Sequence, residues 1–300
     1  MKVLISGGTG FIGCRVAARF SEAGADVGVY TRKPAGGRRS GVTSHFWDPL
    51  GAAPAVESLD GADAVIHLAG ETVAQRWNPE VKRRIRDSRV VGTRNLVESI
   101  GRAAKKPKTL VSASAIGIYG DRGDEILTEG SAPGNGFLCG VCRDWEAEAD
   151  RAAQFGVRVV KLRIGFVLGR DGGALKEMLP AFRLGAGGRL GFSGRQWMPW
   201  IHLDDLIGLI YHAAANEAVS GVWNATAPNP VRNRDFTVAM GAALHRPAVI
   251  PVPVLALKLL FGELAQHMLD SARVVPQAAE RAGYRFQYPE VGPALRNLIG

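Results

Sequence analysis

Lys2-Val3-Leu4-Ile5-Ser6-Gly7-Gly8-Thr9-Gly10-Phe11-Ile12-Gly13 decides the fold. A short apolar strand runs straight into a glycine-rich turn, and a helix-period segment from Phe11 to Ala23 follows. Glycine at 7, 10 and 13 allows a tight turn, close backbone approach to a pyrophosphate and close helix–strand packing, while the helix N-terminus offers free N–H groups and a partial positive charge. A glycine-rich turn alone is a weak signal. This one lies between a first strand and a first helix, the context that dinucleotide binding demands. Gly7, Thr9, Gly10, Phe11, Ile12 and Gly13 are therefore candidate cofactor residues.

Outward from that turn, short β-branched runs alternate with longer helical segments. Expected strands are Lys2 to Ser6, Asp26 to Thr31, Ser44 to Trp47, Ala64 to Leu68, Thr109 to Ala113 and Arg158 to Ile164; expected helices are Phe11 to Ala23, Pro79 to Ala104 and Leu138 to Phe155. The strands are nearly continuous apolar runs, as in sheets buried on both faces. The pattern predicts an α/β fold, a Rossmann-type doubly wound parallel sheet with a small, mainly helical C-terminal lobe. The expected division is a nucleotide-binding domain over 1–228, with a mobile substrate-side loop at about 170–199, and a substrate-side lobe over 229–300. Asp204 is expected to cap a helix running to Ala215.

Strand two ends Val29-Tyr30-Thr31-Arg32-Lys33-Pro34. Folds that select an unphosphorylated ribose usually place a carboxylate there; here two cations stand instead, and a guanidinium can fork a 2′-phosphate. Thr31 and Arg32 are thus candidate cofactor residues, and NADP(H) is the expected cofactor.

The 300 residues are 46% hydrophobic and 22% charged, which excludes a disordered or fibrous chain. No apolar run is long enough to span a bilayer. The net charge of +9 favours anionic partners. Its densest run, Lys82-Arg83-Arg84-Ile85-Arg86-Asp87-Ser88-Arg89, has no interleaved aromatics and reads as a solvated helix face, so no nucleic acid and no membrane are expected as partners. Three cysteines build no disulfide framework, and no export signal is apparent, which points to the cytoplasm. Cys139-Gly140-Val141-Cys142 is formally C-x-x-C, but a zinc ion would need two more ligands, and no metal site is expected.

With His67-Leu68-Ala69-Gly70, Gly92-Thr93-x-Asn95-Leu96, Tyr119-Gly120 and Trp200-Ile201-His202-x-Asp204-Asp205, the chain resembles the extended short-chain dehydrogenase/reductases of the nucleotide-sugar epimerase type. Thr31-Arg32-Lys33-Pro34, Leu68-Ala69-Gly70-Glu71, Trp145-Glu146, Gly172-Gly173, Arg273-Val274-x-Pro276, Ala282-Gly283-Tyr284 and Tyr288-Pro289 resemble an atypical subgroup, the "epimerase family proteins", which have their own C-terminal domain. The resemblance covers essentially the whole chain and adds Leu68, Ala69, Gly70 and Glu71 to the cofactor residues.

Members with established chemistry use a Tyr, a Lys four residues later and a Ser at the end of strand five; the lysine charge lowers the phenol's pKa so that it exchanges a proton while hydride moves. None of the five tyrosines here has Lys at +4. The resemblance makes Ser114 the counterpart of the serine and, aligned on Glu146, puts Cys139 at the tyrosine position and Arg143 at the lysine position, where an arginine would lower the thiol's pKa. Tyr119 is the nearby phenol. Ser114, Tyr119 and Cys139 are the candidate catalytic residues. Tyr119 also has a simpler reading as a packed ring, His202 as the residue orienting its turn, and Arg163 as either a buried anchor or a substrate contact. Nucleotide-sugar epimerases usually clamp the diphosphate with an arginine at the position of Met198; Arg195 lies nearby as a substitute.

The expected function is an NADP(H)-dependent oxidoreductase acting on a small molecule. A non-catalytic NADP(H)-binding sensor and a nucleotide-sugar epimerase are the alternatives. The oligomeric state stays open, with a homodimer among the options.

Overall fold

The computed structural model describes residues 1–34, 38–39 and 41–300, Arg38 and Arg39 by their backbone alone. Its strands begin with β1 (Lys2–Ser6), β2 (Asp26–Thr31), β3 (Arg38–Arg39), β4 (Val42–Phe46), β5 (Ala64–His67), β6 (Thr109–Ala115) and β7 (Ile126–Leu127). They continue with β8 (Arg158–Ile164), β9 (Phe166–Leu168), β10 (Trp197–Met198), β11 (Trp200–His202), β12 (Gly221–Ala225), β13 (Val231–Arg232) and β14 (Arg273–Val274). The helices are α1 (Phe11–Glu22), α2 (Val56–Leu59), α3 (Pro79–Arg102), α4 (Phe137–Asp150), α5 (Gly173–Arg183) and α6 (Leu203–Ala215). Five more follow: α7 (Asn233–Leu244), α8 (Val254–Phe261), α9 (Leu264–His267), α10 (Gln277–Arg281) and α11 (Val291–Ile299).

The main sheet has the order β12-β8-β6-β5-β1-β2-β4-β3. Seven strands are parallel, and the short edge strand β3 pairs antiparallel to β4. This is the doubly wound arrangement the sequence predicts, and its alternation explains the apolar runs. Val3, Ile5, Val27, Val29 and Ile66 face a core closed by Val16 and Phe20 of α1 and Leu206 and Ile210 of α6. Leu4, Val65 and Leu110 face the opposite core, closed by Leu96, Val97 and Ile100 of α3. Successive strand residues thus each meet a helix layer, and each such side chain contributes about 1.5–3 kcal/mol on burial.

Several expected boundaries move for local reasons. The helix expected from Leu138 to Phe155 divides into α4 and a 3-10 turn over Arg151–Phe155 that ends on left-handed Gly156. Asn78 starts α3 by accepting from the Val81 N–H at 2.8 Å, with Pro79 at the first helical position. The 170–199 segment, expected as a loop, contains α5, whose Leu175, Leu179 and Phe182 share one face and are buried beside Trp200. Asp204 does not cap α6. His202 does, its Nδ1 accepting from the Asp204 N–H at 3.1 Å, which puts Asp204 inside the first turn.

The C-terminal segments divide between two cores: Ala279 of α10 joins the core on the α1 and α6 side of the main sheet, whereas α7 and α11 build a separate cluster with α5. Phe236 and Met240 of α7 and Ala294 and Leu295 of α11 join Leu175, Leu179 and Trp200 in one cluster. The Asp205 carboxylate accepts from the N–H groups of Gln287 at 2.7 Å and Tyr288 at 3.0 Å, Tyr284 Oη donates to the Asp205 carbonyl at 3.1 Å, and Tyr288 stacks on His202. These contacts explain why His202-x-Asp204-Asp205 and the Tyr284 and Tyr288 elements occur together.

Candidate functional site

The glycine turn is fixed by what surrounds it. Gly7 has φ +68°, a conformation that favours glycine. A Cβ on Gly13 would lie 2.1 Å from the Gly7 carbonyl oxygen, whereas one on Gly10 would meet only that oxygen, at 3.2 Å, and otherwise open space. Gly13 is therefore a packing glycine, and Gly10 is the one that leaves room above the turn. The first bonded N–H of α1 is that of Cys14, to Gly10 O at 2.9 Å, so the N–H groups of Phe11, Ile12 and Gly13 have no helix partner. No acid stands in the first turn. A helix end of this kind attracts an anion. The Phe11 ring turns away and packs on Gly169 and Gly172, where a Cβ would come within 2.4 Å of it.

Above the turn lies a groove of about 920 Å³, lined by Gly7, Thr9, Gly10, Thr31, Arg32, Lys33, Leu68, Ala69, Gly70 and Glu71. The structure adds Tyr30, Trp47, Asp48, Pro49, Leu50 and Ser88 to that lining. Arg32 and Lys33 are exposed and form no ion pair among the described residues. The strip from Leu68 to Glu71 is held against Gly7 by a buried relay. Ser6 Oγ accepts from the N–H groups of Leu68 at 3.1 Å and Ala69 at 3.2 Å, and lies 2.6 Å from His67 Nδ1. Its own proton is left for Nδ1, so His67 carries its hydrogen on Nε2 and donates to Thr93 Oγ1 at 2.9 Å. Burial, with the nearby Arg89 charge, lowers the His67 pKa to about 3, so the ring is neutral.

Outside that lining, at and beyond the end of β6, Ser114 and Tyr119 belong to one buried network. Ser114 donates to Glu146 Oε1 at 2.6 Å, and Glu146 is held by Arg163 through Nε at 2.8 Å and Nη2 at 2.9 Å. Arg163 Nη1 donates to Tyr119 Oη at 2.9 Å, and that hydroxyl lies 2.7 Å from Asn224 Oδ1 and 3.0 Å from the Thr128 carbonyl. Tyr119 is fully buried, and burial raises its pKa against the opposing pull of Arg163. Cys139 lies outside this network: its thiol donates to the carbonyls of Gly117 and Asn135. Burial and the Asp270 charge push the Cys139 thiol up, the reverse of the lowering expected from Arg143. Arg143 is exposed, because at 100° per residue it falls on the solvent side of α4 while Cys142 turns inward.

A further charge near the Leu68–Glu71 strip comes from Arg89 of α3, which sequence reasoning placed in a solvated run. Its Nη1 donates to the carbonyls of Glu71 at 3.0 Å and Ile85 at 3.1 Å, and its guanidinium lies over the Trp145 ring at 5.3 Å. A Cβ on Gly70 would come within 3.2 Å of the guanidinium carbon. The usable signal was helical spacing, since Arg89 is four residues after buried Ile85 and three before buried Gly92.

The NAD-dependent epimerase/dehydratase family matches residues 3–225, and a domain of unknown function (DUF1731) matches residues 252–298. The chain belongs to the NAD-dependent epimerase/dehydratase family. It is 42% identical over 306 residues to the chloroplastic epimerase family protein SDR39U1 homolog of Arabidopsis thaliana, covering 100% of this chain and 87% of that one. It is 38% identical over 304 residues to human epimerase family protein SDR39U1, covering 100% of both. The crystal structure of the human protein (isoform 2) with NADPH superposes with a TM-score of 0.89 at 36% identity, covering 100% of this chain and 99% of that one.

Within this family the site departs from nucleotide-sugar epimerases. Met198, at the position of their diphosphate-clamping arginine, is buried, with the Asn233 amide on its sulfur at 3.0 Å. Arg195 is exposed; its N–H donates to Ser193 Oγ and its carbonyl accepts from Arg232. Among the described residues no group of three or more His, Cys, Asp or Glu side chains is placed to hold a metal, and no helix is long and apolar enough to cross a membrane.

Proposed function

We propose that this protein binds NADP(H) in the groove above Gly7–Gly13 and acts as an NADP(H)-dependent oxidoreductase on a small carbonyl or hydroxyl compound. The observation that carries the reading is the end of β2, where exposed Arg32 and Lys33, free of ion pairs among the described residues, border the groove and no carboxylate takes the ribose position. A 2′-phosphate there meets a guanidinium fork, and the pyrophosphate meets the open N–H groups of α1. The human relative solved with NADPH supports the same cofactor.

When bound, the cofactor supplies hydride chemistry at its nicotinamide. The chain's own contribution is positional. With the 2′-phosphate at β2 and the pyrophosphate above β1, Gly70 and Ser114, toward the ends of β5 and β6, would be the residues that hold the other nucleotide. Ser114 Oγ gives its proton to Glu146 and keeps its lone pairs for a substrate hydroxyl, and the Glu146–Arg163 pair fixes its rotamer. Tyr119 and Cys139 have their protons on protein acceptors, so neither is poised as the proton donor. That same observation favours a second reading, cofactor binding without turnover.

NADP⁺ reduction across a panel of primary and secondary alcohols tests the assignment, with Gly10→Val as the cofactor-free control. We expect turnover with the wild type that Ser114→Ala reduces at least tenfold. Tight NADPH binding with no turnover on any panel member would select the non-catalytic reading. Failure to bind NADPH would remove both.

A further inference from the structure

We propose that Arg89 sets the redox-state preference of the groove, making it hold the reduced, uncharged nicotinamide in preference to the oxidised, cationic one. The inference rests on the dinucleotide reading above and adds to it a residue and a direction.

Position comes first. The sheet order puts β5 and β6 on the opposite side of β1 from β2, so a dinucleotide with its 2′-phosphate at Arg32 carries its nicotinamide half past Gly70 and Glu71. Arg89 lies directly against that strip: its guanidinium would be within 3.2 Å of a Gly70 Cβ, and Nη1 is bonded to the Glu71 carbonyl. Its neighbours on α3, Ile85 and Ser88, are buried, and Ser88 lines the groove.

Charge comes second. Among the described residues Arg89 has no carboxylate partner. The nearest acid, Glu71, is engaged by Arg84 at 2.9 Å. The other titratable groups facing it are neutral: His67 has its pKa lowered to about 3, and burial pushes the Cys142 thiol up to about 12. Trp145 covers one face of the guanidinium. Burial lowers the Arg89 pKa without approaching neutrality, since a guanidinium stays protonated in proteins. Nη1 donates to two carbonyls, and among the described residues Nε and Nη2 have no hydrogen-bond partner. A fixed positive charge in a partly desolvated wall repels a cationic ring and is indifferent to a neutral one.

The experiment measures dissociation constants by calorimetry for NADPH, NADP⁺ and 2′,5′-ADP, which lacks the nicotinamide. The wild type is expected to bind NADPH at least tenfold more tightly than NADP⁺, equivalent to about 30 mV on the potential of the bound two-electron couple. Arg89→Met should bring the two affinities within about threefold while leaving 2′,5′-ADP unchanged, and Arg89→Lys should keep most of the preference. Arg32→Ala should weaken both forms and 2′,5′-ADP together, leaving the ratio intact. Equal wild-type affinities for NADPH and NADP⁺, or a ratio untouched by Arg89→Met, overturns the inference. Should Arg89→Met fail to fold, Arg89→Gln and the wild-type ratio decide the matter. Loss of all three ligands by the wild type would instead bring down the dinucleotide reading itself.

Discussion

The two halves of the site are built by different physics. At the β1–β2 half, binding groups are backbone N–H donors and two cations without ion pairs among the described residues, beside a turn whose glycines are dictated within a few residues of chain. At the β5–β6 half, the polar groups are buried side chains tied to one another across long separations: Ser114 to Glu146, Glu146 to Arg163, Arg163 to Tyr119. The first half leaves its donors open for a ligand. In the second half the donors are mostly consumed by protein acceptors, with Arg89 as the exception. The open donors thus lie where the backbone provides them, and the buried side chains form a network closed on itself.

The largest effect should separate two glycines of one turn. Gly13→Val places side-chain atoms into the backbone of Gly7 and is expected to cost more than about 4 kcal/mol by urea unfolding. Gly10→Val, pointing into open space, should change stability by about 1 kcal/mol or less while abolishing NADPH binding. Similar stability losses in both variants would mean that the groove side of the turn is packed.

Breaking the network at the other half should cost nearly as much. Glu146→Gln leaves the buried Arg163 guanidinium without its counter-charge, a change expected to destabilise by about 3–5 kcal/mol. NADPH affinity should stay within about threefold if the variant is assayed while folded. A stable Glu146→Gln variant that has lost NADPH would instead tie the carboxylate to the cofactor.

Acid sharpens the comparison further. His67 is neutral in the fold with a pKa of about 3, against 6.5 when unfolded, so the unfolded chain takes up a proton that the native state refuses. Its contribution to stability is complete above pH 6.5 and is lost as pH falls toward 3, by about 1.4 kcal/mol per unit. Urea titrations at pH 7 and pH 5 should show this loss in the wild type and a flatter profile in His67→Gln. Identical profiles would mean that the ring is protonated in the native state. The smallest effect is Cys139→Ala: one thiol proton shared between two carbonyls is removed, worth about 1 kcal/mol, with NADPH affinity unaltered. Loss of turnover at preserved stability would place the thiol in the chemistry.

How much of this was readable from sequence follows the same division. The strand–turn–helix of residues 2 to 22 and the cations after β2 were legible because short-range geometry and local charge decide them. Arg158–Ile164 was legible from its β-branched Val159, Val160 and Ile164, although Lys161 and Arg163 interrupt the apolar run. The buried network was not. Glu146 served only to align the helix, and Arg163 was left between two roles, because a contact 17 residues apart has no periodic signature. Arg89 was missed because, in a run of cations, only the phase of the helix tells which one turns inward, and the same phase puts Arg143 on the solvent side of α4. His202 displaced Asp204 as the cap of α6 because its ring is held in place by Tyr288, a partner far away in the chain.

Parallel titration of the wild-type protein with NADPH and NADH tests the central claim most directly, because the two differ only at the 2′-phosphate that Arg32 and Lys33 are placed to meet. The account predicts NADPH binding at least tenfold tighter, with Arg32→Ala removing most of that difference and leaving NADH unchanged. Equal affinities in the wild type would contradict it.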